Sequence, residues 1–153
     1  MKLYLNALGV LNSLGRGKHE VARNLFRGSR AGLVPRADLL PERTVRVGEV
    51  AGSLPPVPAR LAHFDCRNNR LALAALTEIE RNIEVLAGRI GPHRIAVIMG
   101  TSTSGIADGE AALAERISRG EWPAGYHSSR QEIPKGRWYF RGALPSAARV
   151  RGP

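Results

Sequence analysis

Arg94-Ile95-Ala96-Val97-Ile98-Met99-Gly100-Thr101-Ser102-Thr103-Ser104-Gly105-Ile106 is an apolar run that stops in a loop of small hydroxyl residues. Five consecutive apolar side chains after Arg94, β-branched at three positions and closed by glycine, have the pattern of a strand covered on both faces. Such strands occur where helices flank a sheet, and layered α/β folds build their sites where the strands end. The stretch therefore predicts an α/β fold, with Thr101, Ser102, Thr103 and Ser104 at a functional edge.

Working outward, His93, Pro92 and Gly91 read as the turn that feeds this strand. Before them lies the strongest helical signal, from Asp65 as N-cap to Leu86 or Ala87, with Ala72, Leu76, Ile79, Ile83 and Leu86 on one face. Gly88 is the expected stop. After the loop, Asp108 to Arg119 reads as a helix with Ala112, Leu113 and Ile117 inward, capped by Ser104 or Asp108. Near the N-terminus, Leu3 to Leu11 reads as a strand, Asn12 to Gly17 as a turn, and Lys18 to Arg27 as a helix. Val21, Leu25 and Phe26 are its expected core face, and Gly28 its stop. Five prolines between Ala31 and Arg60 predict a peripheral loop, with one strand at Thr44 to Val50. The elements alternate as βαβαβα.

Composition narrows the function classes. A chain of 153 residues with 43% hydrophobic content suffices for one ordinary domain. No run reaches the roughly 20 apolar residues of a bilayer span, so no membrane association is expected. Asn6 interrupts the N-terminal apolar run and no Ala-x-Ala site follows, which favours a strand over a leader peptide. The single cysteine, Cys66, forms no internal disulfide and suits the cytoplasm.

The net charge of +10 is unevenly placed. Residues 1–132 carry 18 Lys and Arg against 13 Asp and Glu, whereas residues 133–153 carry five basic residues and no acid. That tail holds three Gly and three Pro and no helical or strand periodicity, so the chain divides into a body, 1–132, and a basic, disordered or out-of-frame tail, 133–153. A tail carrying Trp138, Tyr139 and Phe140 among arginines also admits a second function class, a small nucleic-acid-binding protein. Nucleic acid is nonetheless not the expected partner of the body.

The order of motifs resembles the N-terminal part of a β-ketoacyl-acyl-carrier-protein synthase, an enzyme of the thiolase fold. The resemblance rests on Leu8-Gly9-Val10-Leu11-Asn12-Ser13-Leu14-Gly15, on Leu25 to Leu33, on Asp65-x-x-Asn68-Asn69-Arg70-Leu71-Ala72-Leu73-Ala74-Ala75-Leu76, and on Arg94 to Gly105. It covers roughly Met1 to Ile133, and Arg-Asn-Asn-Arg with Gly-Thr-Ser-Thr-Ser-Gly is similar to branches that make aryl polyenes. It implies a partial thiolase-like layered fold, the N-terminal half, with an incomplete sheet and flanking helices. The implied chemistry is an acyltransferase's decarboxylative Claisen condensation in fatty acid, polyketide or aryl polyene synthesis. Implied partners are an acyl carrier protein and a homodimer or synthase partner, with no cofactor.

The family's nucleophile sits in an Ala-Cys-Ser or Ala-Cys-Thr segment that this chain lacks, and its two histidines belong to the C-terminal half. No catalytic residue is therefore assigned here, and the chain is expected to be inactive alone, its reading frame departing from the family near Ile133. Thr101 to Ser104 are expected to line the approach to the active site, against the competing reading of ordinary turn and cap duty. The loop lacks the Gly-Lys-Ser/Thr of a phosphate-binding P-loop. Cys66, beside Arg67 at a helix start, is expected to be a bystander because Asp65 adjoins it and no histidine is placed as a base. His19 and His63 are expected on the surface, His93 in its turn, and His127 near the loop end of the sheet. None has metal-ligand spacing.

Overall fold

The structure is a computed structural model that describes residues 2–100 and 106–126. The tail, His127 and the loop residues Thr101 to Ser104 lie outside the described residues. Two small hairpins, four α-helices and two short 3-10 helices (Ala59–Phe64 and Pro92–Arg94) are the regular elements among the described residues. Strands β1 (Leu11–Asn12) and β2 (Gly15–Arg16) pair antiparallel, Leu11 opposite Arg16. Asn12 Oδ1 accepts from Leu14 N at 2.9 Å, the Asx geometry that makes Asn a turn former.

Helix α1 (Lys18–Phe26) follows directly. Glu20 reaches back so that its Oε2 accepts from Arg16 N at 2.8 Å, tying the hairpin to the helix start. Gly28, at φ +62°, ends it as the sequence predicts. The expected core face is only partly realised: Val21 is half-buried, but Leu25 is exposed and Phe26 is 88% exposed. Among the described residues no layer lies outside α1 for these two to pack against.

The 31–60 region holds the expected strand as β4 (Val45–Gly48) and a second strand, β3 (Leu33–Arg36), paired antiparallel with Val34 opposite Val47. Pro35, which reads as a breaker, sits opposite Arg46 in this two-stranded hairpin, where a strand has an open edge for a residue without an N–H. The two hairpins touch closely. A Cβ on Gly32 would overlap the Ser13 carbonyl oxygen, and one on Gly48 would lie 2.8 Å from Ser13 Oγ. Glycine at both positions opens the slot that holds the Ser13 turn.

The single long helix expected from Asp65 is instead two. Helix α2 (Arg67–Thr77) and helix α3 (Glu80–Ile90) are separated at Ile79, whose φ −111° and ψ 0° are not helical. Cys66, not Asp65, is the N-cap residue, and α3 runs past Gly88 to end at Gly91 (φ +85°). Gly88 is tolerated inside the last turn because helical φ/ψ is open to glycine at modest cost. Helix α4 (Ile106–Arg119) starts before Asp108, which lies in its first turn rather than at its cap. It buries Ala112 as expected but leaves Leu113 half-exposed and Ile117 78% exposed.

Neither expected long strand is hydrogen-bonded as one. Residues 2–10 have no ladder, and Leu3, Tyr4 and Leu5 stand in solvent. Residues 95–100 form no strand pair either, yet their burial alternates: Ile95, Val97 and Met99 are half-buried while Ala96, Ile98 and Gly100 are exposed. Val97 and Met99 pack on Leu76 and Ile83, together with Ile79, as the main apolar cluster. The segment is thus extended and covered on one face, not two. Ile98, 91% exposed, marks the open face. A strand needs a hydrogen-bonded neighbour to satisfy its backbone, and among the described residues neither segment joins a ladder.

The core is correspondingly small. Cys66, Ala74, Leu76, Ile83, Ala87 and Ala112 are the buried apolar residues among those described. The architecture is a mixed α/β partial layer, with helices α2 and α3 carrying its centre.

Candidate functional site

The expected site loop falls, in sequence, between two described segments. On one side is the 95–100 segment, fixed to α2 and α3 by Val97 and Met99. On the other is the first turn of α4. Because Thr101, Ser102, Thr103 and Ser104 fall between them, their own geometry lies outside the described residues.

The start of α2 lies close to the start of α4. Cys66 and Arg70 both sense the negative charge of Asp108, in the first turn of α4. Sequence reading treated Asp108 only as a cap, and nothing in its local pattern pointed to a residue 42 positions earlier. Asp65, expected as a cap, turns to Arg70 instead: Arg70 Nε and Nη2 donate to its two carboxylate oxygens, each at 2.6 Å. This two-point ion pair holds the Asp65 carboxyl below the ordinary carboxylate range. Asn69 Nδ2 donates to the Phe64 carbonyl at 2.6 Å, fixing the turn Ala59–Phe64 against the helix start.

Cys66 sits at this junction, and burial pushes its thiol up. The backbone N–H groups of Asn69 and Asn68 pull the other way, and the charges of Asp108 and Asp65 add to the rise. A nucleophilic cysteine needs its anion favoured, and here the neutral thiol is favoured. His19, His63 and His93 are all exposed. His63 lies against the Phe64 ring with centroids 4.0 Å apart. Among the described residues, no three His, Cys, Asp or Glu side chains converge in a way that could hold a metal ion. No described helix is long and apolar enough to cross a membrane.

No protein-family model and no curated protein matches the chain. Among solved structures, a chain from the complex of the ketosynthase ApeO with its chain length factor ApeC, of Xenorhabdus doucetiae, is 36% identical to it. The TM-score is 0.79, and the match covers 96% of the present chain. This chain is ketosynthase-like. The ketosynthase-like chain spans 37% of the length of that relative. Its partial layers, small sheets with flanking helices, are a part of the ketosynthase fold, as the motif order between Leu8 and Gly105 implied.

Proposed function

We propose that this chain provides the N-terminal layer of a β-ketoacyl-acyl-carrier-protein synthase working in the cytoplasm. The likeness to a chain of the ApeO–ApeC complex, at 36% identity over nearly the whole chain, is the observation that carries this reading. The reaction is the decarboxylative condensation of an acyl group with malonyl carried on an acyl carrier protein. Aryl polyene synthesis is the branch that the Arg67 to Arg70 and Gly100 to Gly105 segments resemble.

In that assignment the chain supplies scaffold rather than chemistry. Helices α2 and α3 back the 95–100 segment, which delivers Thr101, Ser102, Thr103 and Ser104 to the approach of the active site. The cysteine that takes the acyl group, and the two histidines that assist decarboxylation, come from sequence beyond residues 1–132. Cys66 does not substitute for that nucleophile, being buried with its neutral form favoured. Alone the chain neither decarboxylates malonyl carrier nor condenses it, and its function requires a synthase partner.

Sequencing the gene through the codons for Glu132 to Pro153 and several hundred bases beyond, in three frames, tests the assignment. An Ala-Cys-Ser or Ala-Cys-Thr segment with downstream histidines in a shifted frame is the expected result. An intact gene that encodes the same tail and stop in related strains would overturn it.

A further inference from the structure

The interruption between α2 and α3 has no local cause strong enough to break a helix. Thr77, Glu78, Ile79 and Glu80 include neither Gly nor Pro, and the apolar spacing from Ala72 to Leu86 runs through them without a slip. The one local perturbation is the Thr77 hydroxyl, which donates to the Leu73 carbonyl at 2.9 Å and bends helices mildly.

The other observation at the break is tertiary. Glu78 reaches the first hairpin: its Oε2 accepts from Val10 N at 3.4 Å, across 68 residues of sequence. Its Oε1 is buried and finds no partner among the described residues. Gly17, at φ +87°, closes the hairpin by donating its N–H to the Val10 carbonyl at 2.8 Å. A Cβ on Gly17 would lie 3.3 Å from Glu78 Oε1, so the carboxylate is pressed against the hairpin base. A side chain whose burial depends on the hairpin thus stands at the residue where the helix fails.

We propose that the α2–α3 break and the seated hairpin are one two-state element: with residues 10–17 docked on Glu78 the helix is broken at Ile79, and with the hairpin released residues 67–90 close into a single helix. In the closed state the amides of Glu80, Arg81 and Asn82 gain helical acceptors at Leu76, Thr77 and Glu78. The switch reaches the candidate site through one side chain. Ile79 packs with Leu76, Ile83, Val97 and Met99, so changing its backbone alters the support of the segment that leads into Thr101.

The test is residue-resolved hydrogen exchange and Cα chemical shifts on the full chain, for the wild type and four variants. In Glu78→Ala, exchange at Val10 rises on the order of tenfold, Ile79 takes a helical shift, and the amides at 80–82 become protected. Gly17→Ala, which strains the hairpin at positive φ and leaves Glu78 intact, gives the same helical response. Glu78→Gln keeps an acceptor oxygen and behaves as the wild type, and Thr77→Ala leaves Ile79 non-helical. A helical Ile79 in Thr77→Ala would make the break local and overturn the proposal. So would a non-helical Ile79 in Gly17→Ala once Val10 exchange has risen. If Glu78→Ala does not fold, the contrast between Gly17→Ala and the wild type still decides.

Discussion

Cys66 and Asp65 are neighbours with opposite dependences on pH. The thiol is raised by burial, so it contributes stability below the ordinary thiol range near about 8.5 and loses that contribution as pH climbs through its raised folded value. Asp65 is lowered by Arg70, so its contribution is present above the ordinary carboxylate value of about 3.9 and is lost as pH falls through its lowered folded value. Titrating stability by chemical denaturation should show both flanks, and Asp65→Asn should shrink the acid one, to which Asp38 beside Arg36 also contributes, while leaving the alkaline one. Thiol labelling gives a second readout. A disulfide reagent should modify native Cys66 on the order of tenfold or more slowly than the unfolded chain, because access requires local opening. Equal rates would mean that the α2 start is not packed as described. At this scale the sequence was partly legible: the place of Cys66 at a helix start followed from its neighbours. The Asp65–Arg70 pair was hidden by a plausible competing use, since an Asp before a helix is the standard cap.

At the scale of elements, the legible part is what depends on local pattern. Lys18–Phe26, Ile106–Arg119 and the Val45–Gly48 strand each appear where period or alternation put them. What failed depended on a neighbour the pattern cannot name. Leu25, Phe26, Leu113 and Ile117 have the spacing of core residues, yet a helix buries a face only where another layer meets it. Strand β3 was hidden by Pro35, and the helix break by a continuous apolar stripe. The two faces of α4 give a direct check. Ala112→Leu should destabilise the chain by about 1–3 kcal/mol through overpacking, while Leu113→Gln should stay within about 0.5 kcal/mol. Thermal unfolding followed by circular dichroism reads both. Equal effects would mean that α4 is seated on a different face.

For the whole molecule, the family and the fold class were legible from the order of motifs, because several weak signals at the right separations reinforce one another. The sheet was not, because strand pairing is a property of contacts distant in sequence. A core this small makes each large buried side chain decisive. Leu76→Ala or Ile83→Ala should each cost about 2–5 kcal/mol, a large share of the 5–15 kcal/mol typical of a domain. The near-ultraviolet signal of Trp122 and Tyr126, whose rings stack 5.3 Å apart, should then melt at a clearly lower temperature than in the wild type. An unchanged melting temperature in both variants would show that Leu76 and Ile83 are not the centre of the fold. The 95–100 segment, which joins no strand ladder among the described residues, and the exposed Leu3, Tyr4 and Leu5 add an association hazard.

The glycine slot around Ser13 also sets a limit on sequence drift. Every single-base change at a glycine codon that alters the residue adds at least a Cβ, and at Gly32 that atom has no space beside the Ser13 carbonyl. In a saturation library selected for solubility, Gly32 should therefore accept no replacement and Gly48 almost none. Gly52, with nothing within 4 Å of an added Cβ, meets no steric barrier but keeps its φ of +82°, so asparagine should be its best-tolerated substitute.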